Sequence, residues 1–543
     1  MDQAVNQRRI SRVNLWRLIQ RYGALLLVFA TVTGVCFLFA GRKSGMFIDE
    51  IYTYGLSNSH YAPFVREVAG GSLADRVLTR QDLQSYLVVD PGEGLDFGSV
   101  YYNQVRDVHP PLYYWLFNIA SSLTPGVFSK WTGLVLDYIL YMLALALLVM
   151  LAKKLFASRY IAVAAAAIYG LSVIGMSTML MIRMYVLLTA LTVGLSYLAA
   201  LFLDKRRLLT CPLIGLCVFL GLMTQYYFVF YAFFLCGFLV LYLLFTKEWK
   251  QAAVFSVCAF GGVALLLLIF PACLRHLFAD SLVSGGNAVE NLTNVSQYVS
   301  RLTLFSRDVL HRRKAAVYIA LLAVAALALC WRKLTAALKA KAFSFTPLLI
   351  ILPAFLAFLL VAVISPVAEI RYVYNLAPLF VLAVCYLLYM LERSLGEMRF
   401  AWFIKTGAVL LIWAVALWEA RCLPPDYLYP EHNDYNAAIT EYSDAPCVYM
   451  TGYIAPITQD LLQLMIFDDF FVTEDPASPA LDAYLESHGD PAACVVYIDI
   501  SSFWSSGFDV DEMIPLLLED TYFTGYERLY QYGLSDTYLL TTD

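Results

Sequence analysis

Charged residues are scarce in this 543-residue sequence: Asp, Glu, Lys and Arg make up 15% of it, against about a quarter of a typical soluble chain. Hydrophobic residues make up 61%, where roughly half is usual. Histidine is rarer still, with six residues in all. This composition excludes an ordinary soluble protein and indicates a polytopic membrane protein.

Lysine is missing altogether from the last part of the chain, residues 421–543. That part holds 22 Asp and Glu against Arg421 and Arg528, a net charge of −20, whereas residues 1–420 carry +15. We therefore expect a transmembrane domain at 1–420 and an acidic, water-soluble domain at 421–543. Nothing in either part indicates a nucleic-acid partner.

Several motifs that carry chemistry are also missing. The eleven cysteines show no metal-ligand spacing and lie mostly in apolar segments, so we interpret them as small core residues. Cys447 and Cys494 can pair if the acidic domain faces an oxidising compartment, and the sequence leaves that open. The acidic domain has no glycine-rich phosphate loop and no nucleophile constellation.

Long apolar runs, in contrast, are abundant, and the charges of the short loops fix their topology. If the segment from Pro110 to Leu123 does not cross the membrane, the basic loops around Lys153 and at 204–207 lie on the cytoplasmic side, as the positive-inside rule requires. Basic residues from Arg8 to Arg21 likewise hold the N-terminus in the cytoplasm. Eleven spans are then predicted, at 22–40, 131–151, 161–179, 186–203, 208–223, 226–246, 251–270, 315–331, 346–364, 373–391 and 402–419.

The connection at 41–130 is long and polar, and it is predicted to form interfacial helices, for example at 74–88. In the acidic domain, 446–450 and 493–500 have the composition of buried strands, with helical spacing at 457–467 and 480–487 between them. The predicted fold class is a polytopic all-α membrane protein with a small C-terminal α/β extracytoplasmic domain.

Asp49 and Glu50 follow the first span directly. A carboxylate at the centre of a bilayer costs about 3 kcal/mol, so an acidic pair here is either a functional site or a pair solvated by headgroup water. The predicted topology places further polar and aromatic side chains on the same outer face: Asp107, His109, Tyr113, Arg183, Tyr185, Tyr226, Arg371 and Tyr372. Each arginine can alternatively form a structural pair, for example Arg371 with Glu369.

These residue types suit group transfer from a phosphorylated lipid. A carboxylate can take the proton from an attacking hydroxyl, and arginines can hold a departing phosphate whose charge grows in the transition state. Aromatic rings offer faces for a sugar or an isoprenoid chain. No nucleotide-binding loop is needed, because the donor is carried in the membrane.

Four motifs also carry a family resemblance. They are Asp49-Glu50 after the first span, His109-Pro110-Pro111-Leu112-Tyr113-Tyr114, Arg183-Met184-Tyr185 opening a span, and Arg371-Tyr372 followed by Pro378. In the order of these motifs and the membrane side on which they lie, the chain resembles the membrane glycosyltransferases that use polyprenyl-phosphate sugars. It resembles above all the protein O-mannosyltransferases and the aminoarabinose transferases. The resemblance covers about the first 390 residues and implies a GT-C fold.

The resemblance also implies roles. Asp49 would be the general base on the acceptor, with Glu50 positioning it. His109, Arg183, Tyr185 and Arg371 with Tyr372 would form the pocket for the lipid-linked phosphate. Transfer would be a single, inverting displacement at the anomeric carbon. Some relatives use a divalent ion, so a metal is left open.

The partners implied are a polyprenyl-phosphate sugar as donor, a glycan, lipid or protein as acceptor, and the lipids of the cell membrane. The sequence shows no match to the lumenal repeat domains of eukaryotic O-mannosyltransferases, which favours an envelope glycan or lipid over a protein acceptor. Two other functions stay open: a transporter or flippase of lipid-linked sugars, and a non-catalytic envelope protein. The absence of an internal repeat and the collection of charges on one face favour the enzyme.

Overall fold

The structure, a computed structural model, describes residues 2–68, 70–278, 290–312, 314–395, 401–501 and 507–542, with only the backbone for 2–21 and 401. The side chains from Arg8 to Arg21, on which the cytoplasmic N-terminus was predicted, lie outside the described part. The first elements are α1 (Asp2–Arg42), α2 (Ile48–Asn58), α3 (Val65–Val68), β1 (Arg76–Thr79), α4 (Arg80–Leu87), α5 (Phe97–Arg106) and α6 (Leu112–Ser121).

The membrane body is helical and packs around α8, which is buried on every side from Ile161 to Gly170. A helix that is apolar all round belongs in a core, and α8 contacts α1 and α7 as well as the late helices. The helices of the body are α7 (Lys130–Phe156), α8 (Arg159–Gly170), α9 (Val173–Leu180), α10 (Tyr185–Lys205), α11 (Thr210–Leu222), α12 (Phe228–Phe245), α13 (Trp249–Ile269), α14 (Ala272–Phe278), α15 (Tyr298–His311), α16 (Lys314–Leu329), α17 (Trp331–Lys339), α18 (Leu348–Ile364), α19 (Ala377–Leu395) and α20 (Ala401–Cys422).

Seven helices in the described part are long and apolar enough to cross a membrane, and two bent pairs, α8 with α9 and α16 with α17, raise that number to nine. The two shorter apolar helices α11 and α18 fall where the other two spans were predicted. The multi-pass membrane protein is therefore confirmed. The count of eleven stays a prediction, because it requires α11 and α18 to cross as well.

The bend of 60° between α8 and α9 is built from local hydrogen bonds. Ser172 caps the N-terminus of α9 after the break between the two helices: its hydroxyl accepts a hydrogen bond from the backbone N–H of Gly175 at 3.1 Å. The Tyr141 hydroxyl donates to the free carbonyl of Gly170 at 3.1 Å. A Cβ at Gly175 would lie 2.5 Å from that hydroxyl, so glycine is required there. The bend directs α9 towards the loop that holds Arg183.

Helix α6, which follows the His-Pro-Pro motif, does not cross. Its ten residues span about 15 Å, half of a bilayer core. Its first N–H, that of Leu112, donates to the carbonyl of Met223 at the end of α11. The helix is thus fixed against the membrane body, as the loop charges predicted.

The C-terminal domain is a six-stranded sheet with helices on it. Strand order is β1-β3-β2-β4-β6-β5; β2 is parallel to β3 and β4, and the other pairs are antiparallel. This confirms the predicted α/β domain. Its elements are α21 (His432–Thr440), β2 (Cys447–Met450), α22 (Ile454–Gln459), α23 (Leu461–Leu464), β3 (Asp469–Thr473), α24 (Pro479–Ser487), β4 (Ala493–Asp499), α25 (Val510–Asp520), β5 (Gly525–Tyr532) and β6 (Ser535–Thr541).

One edge of that sheet is not from the C-terminal part of the chain. Strand β1, from the first outer connection, pairs with β3, Arg76 opposite Val472 and Thr79 opposite Asp469. The prediction of one interfacial helix at 74–88 was therefore wrong in its first half, because Thr79 caps a shorter helix, α4, and frees the residues before it to pair. The sheet joins the two predicted domains, whose boundary at 420 stays a prediction.

Cys447 and Cys494 are free and buried. Cys447 stands opposite Val495 in the parallel pairing of β2 with β4, so Cys494 is one residue out of register and faces the other side of the sheet. The two thiols lie in different core clusters, one on each face. A disulfide between them is not formed in this structure.

Candidate active site

Asp49 and Glu50 occupy the first turn of α2, and their surroundings differ. Glu50 is fully buried, and its carboxylate accepts three hydrogen bonds. One oxygen accepts from the backbone N–H of Phe47 at 2.7 Å and from the Lys43 ammonium at 2.9 Å. The other accepts from the backbone N–H of Ile182 at 2.8 Å. Glu50 thus caps its own helix and attaches it to the loop before Arg183.

Asp49 keeps contact with solvent, with 23% of its side chain exposed. Its carboxylate lies 3.6 Å from a guanidinium nitrogen of Arg371. Arg183 donates to the backbone carbonyl of Asp49 at 2.8 Å and to the hydroxyl of Thr53 at 3.2 Å. Burial alone would raise the pKa of Asp49, but Arg371, Arg183 and His109 outweigh it and hold the pKa below its ordinary value.

His109 stands beside the same arginine. Its Nδ1 lies 2.7 Å from a carboxylate oxygen of Asp107 and 3.5 Å from Arg183 Nη2. Burial would raise the pKa of Asp107, but His109 and Arg183 lower it. The imidazole is therefore oriented by a carboxylate on one side while its other nitrogen, Nε2, stays available to the site.

Arg371 lies among aromatic rings, at the start of the last but one span. Its guanidinium is 5.0 Å from the centre of the Phe47 ring and 5.6 Å from that of Tyr372. Glu369 is more distant, at 3.9 Å. The expected alternative, a structural pair of Arg371 with Glu369, is thus weaker than the contact with Asp49.

Both arginines keep a free donor. The Nε–H groups of Arg183 and Arg371 are buried and have no hydrogen-bond partner among the described residues. A buried guanidinium donor without an acceptor is costly, so these two groups suit an anion that binds between them. Tyr185, buried at the start of α10, packs its ring edge-on to Tyr374 at 6.2 Å and lies in the electrostatic field of Arg371.

The structure therefore brings together the residues that the sequence singled out. Asp49, His109, Arg183 and Arg371 are linked by direct contacts, with Tyr185 and Tyr372 around Arg371. Tyr226 lies apart from them, because its hydroxyl contacts His276 at 2.9 Å. Tyr113 faces away as well, donating to Asp137 at 2.7 Å.

Three charged residues of this region were missed. Lys43 pairs with Glu50, Asp137 lies buried below α6, and Asp426 binds Arg312 at 2.8 Å. Lys43 had a signal in the sequence, because a lysine at the outer end of the first span departs from the positive-inside rule as Arg183 does. Asp137 had one too, as a lone acid inside an apolar run.

No group of three or more His, Cys, Asp and Glu side chains that could hold a metal ion occurs among the described residues. The sequence left a metal open, and Asp49, Glu50 and His109 are the residues singled out there whose side chains could act as ligands. Glu50 is directed to Lys43 and to two backbone N–H groups.

Comparisons with known proteins find a family model and solved structures to which this chain is similar. Residues 108–275 match a family model described as dolichyl-phosphate-mannose-protein mannosyltransferase. The crystal structure of ArnT from Cupriavidus metallidurans bound to undecaprenyl phosphate aligns with a TM-score of 0.52 at 12% identity, covering 95% of this chain and 98% of that one. AglB from Archaeoglobus fulgidus, in complex with an inhibitory peptide and a dolichol-phosphate, aligns with a TM-score of 0.47 at 11% identity, covering 94% and 73%. No curated protein sequence matches.

The family match includes the His-Pro-Pro and Arg-Met-Tyr motifs, and the likeness to ArnT extends over nearly the whole of both chains. The GT-C fold and the resemblance to membrane glycosyltransferases that use lipid-phosphate sugars are confirmed. What the site does in this chain follows from its own contacts.

Proposed function

We propose that this membrane protein of GT-C fold transfers a sugar from a polyprenyl-phosphate donor to a hydroxyl group on the outer side of the membrane. The observation that carries the proposal is the pairing of a partly exposed carboxylate, Asp49, with two arginines that each have a buried Nε–H without a partner among the described residues. One component can accept a proton and the other can hold a phosphate, and they lie in direct contact.

In the proposed reaction the acceptor oxygen forms a bond to the anomeric carbon as the bond from that carbon to the phosphate oxygen breaks. The acceptor proton passes to Asp49. The bonding electrons leave with polyprenyl phosphate, which gains one negative charge, and Arg371 and Arg183 stabilise that charge at a site of low dielectric. Attack opposite the leaving phosphate inverts the anomeric configuration.

The contact between Asp49 and Arg371 gives this site an order of events. Without donor, Arg371 lowers the pKa of Asp49 and so makes it a weak base. A donor phosphate competes for the same guanidinium, and each step that draws Arg371 towards the phosphate makes Asp49 more basic. Activation of the acceptor is thereby coupled to the presence of the donor.

Glu50 takes a different role from Asp49 in this proposal. Its carboxylate is engaged by three donors and does not reach solvent, so it positions the start of α2 and does not transfer a proton. His109 lines the phosphate pocket with Nε2, the Tyr372 ring packs against Arg371, and Tyr185 completes the pocket. The acceptor, whether envelope glycan, lipid or protein, enters from the outer side, where the C-terminal domain also lies.

The test is release of polyprenyl phosphate from a polyprenyl-phosphate sugar by the purified protein in lipid nanodiscs. Asp49→Asn is expected to lower the release rate by about 100-fold or more, because a positioned general base contributes about that much. The matched control is Asp204→Asn, which removes an exposed acid that pairs with Lys154 at the other face.

Equal release by the two variants, with both folded, would remove Asp49 from the mechanism. No release by any form, together with movement of the intact lipid-linked sugar across the bilayer, would replace the transferase by the transporter alternative.

A further inference from the structure

Lys43, like its partner Glu50, is a fully enclosed charge beside the proposed catalytic residue Asp49. Its side chain has no solvent exposure. The ammonium donates to Glu50 at 2.9 Å and to the backbone carbonyl of Tyr427 at 2.7 Å, and it faces the ring of Tyr429 at 5.4 Å. Two of these three partners belong to the segment that leads from the last span into the C-terminal domain.

The surroundings of the Lys43–Glu50 pair leave little freedom. Lys130, on α7, donates to the backbone carbonyl of Lys43 at 2.5 Å and so fixes the chain at that point. A buried ion pair gives modest net stability but strong geometric specificity when all its donors and acceptors are satisfied. The pair therefore serves better as a positioning device than as a source of stability.

The C-terminal domain holds α2 from both sides. Before the helix, the N–H of Ser44 donates to the carbonyl of Leu428 at 2.8 Å, and the Asn433 amide donates to the Ser44 hydroxyl at 2.8 Å. After it, β1 is an edge strand of the domain's sheet, and the N–H of Arg80 donates to the carbonyl of Asp468 at 2.9 Å. Among these contacts with the C-terminal domain, the one made by Lys43 leads directly to Glu50, the neighbour of Asp49.

We propose that Lys43 is a positioning residue for the transfer reaction: acting through Glu50, it fixes the first turn of α2 and hence the direction of Asp49, and its bond to Tyr427 makes the C-terminal domain part of the active site. This rests on the proposed function. The acidic domain is then required for turnover although it supplies no catalytic side chain.

The test compares Lys43→Met with Lys405→Met. Lys405 forms a partly exposed Lys–Glu pair with Glu392 at 2.6 Å near the start of α20, so Lys405→Met is the control for loss of a Lys–Glu pair away from the site. We expect Lys43→Met to lower kcat by about 10–100-fold, the cost of a small misplacement of a catalytic group. The KM for the donor should change by less than about threefold, because the arginines stay in place.

A double-mutant cycle tests whether Lys43 acts through Glu50. If it does, Lys43→Met added to Glu50→Gln lowers kcat by no more than about twofold beyond Glu50→Gln alone. Independent, multiplicative losses would overturn the proposed route. If Lys43→Met does not fold, Lys43→Arg is measured instead, and it should keep about a third of kcat or more, since Arg can reach both acceptors.

Release of polyprenyl phosphate by the wild-type protein distinguishes failure of this proposal from failure of the proposed function. A wild type that releases no polyprenyl phosphate contradicts the proposed function itself. A wild type that is active, with Lys43→Met indistinguishable from Lys405→Met, overturns only the role of Lys43. Lys43→Met could also lose activity only because fewer molecules bind donor, with turnover per bound donor unchanged. That result would likewise overturn the positioning role of Lys43.

Discussion

Asp49 and Glu50 are neighbours in the chain with opposite environments. Successive residues of a helix point about 100° apart, so one carboxylate faces the arginines and the other faces the loop at Ile182. Glu50 is buried and accepts three hydrogen bonds, whereas Asp49 has solvent contact and a single charged partner at 3.6 Å. A proton acceptor needs free lone pairs towards its substrate, and Asp49 is the member of the pair that has them.

Asp107 makes the stability of the fold depend on pH. Its folded-state pKa is lowered, so it stabilises the fold fully above the ordinary pKa of Asp, about 3.9, and less as pH falls through the folded value. Asp107→Asn should lower the melting temperature at pH 7, and the difference from wild type should shrink below about pH 4. A difference that stays constant down to pH 3 would contradict the contact with His109.

The identity of the site residues could be predicted because their chemistry is unusual for their place in the chain. Carboxylates and arginines beside long apolar runs are expensive, and Asp49, Arg183 and Arg371 each stood out for that reason. The division between Asp49 and Glu50 could not be read from the residues, since it depends on a lysine seven positions earlier and on a backbone N–H 132 positions later.

At the scale of elements, β1 is the feature on which the first connection depends. Leu78 points into the core with no exposure, while Val77, on the other face of the same strand, is 44% exposed. Leu78→Asp should destabilise the protein by about 3 kcal/mol or more, because it buries a charge without a partner. Val77→Asp, the matched control, should change the stability by less than about 1 kcal/mol.

Hydrogen exchange adds a second readout of the same element. The amides of β1 are expected to lose protection together with β3 in Leu78→Asp, and to keep it in Val77→Asp. Similar losses in both variants would contradict the pairing of these strands. Strands β2 and β4 and helix α24 of the C-terminal domain were predicted from composition and spacing, whereas β3, β5, β6, α21 and α25 were not identified. Strand β1 was not predictable, because its partner β3 lies 390 or more positions away in the chain.

At the scale of the molecule, the basic membrane body and the acidic domain meet beside the proposed site, where Lys43 donates to the carbonyl of Tyr427. The positive-inside rule predicts that the loop between α10 and α11 is cytoplasmic and that the C-terminal domain is outside. In a Cys422→Ser background, Ser487→Cys should react with a membrane-impermeant maleimide on intact cells. Lys205→Cys should react only after permeabilisation, and labelling in the reverse order would invert the topology.

A membrane domain followed by an acidic domain could be predicted from composition and loop charge, because both quantities are summed over many residues. The way the parts dock could not be predicted. It rests on single contacts between distant positions, such as Lys43 with Tyr427, 384 residues apart. Neither residue has a local pattern that names its partner.

We propose that Asp49 acts on the acceptor while Arg371 holds the donor. This division of roles is tested by two measurements on the same nanodisc samples of Asp49→Asn and Arg371→Gln: equilibrium binding of a polyprenyl-phosphate sugar and single-turnover release of polyprenyl phosphate. We expect Asp49→Asn to bind donor at least as tightly as wild type and to lose release by about 100-fold, whereas Arg371→Gln should lose binding by about 10-fold or more. Weakened donor binding in Asp49→Asn, with normal binding in Arg371→Gln, would contradict it.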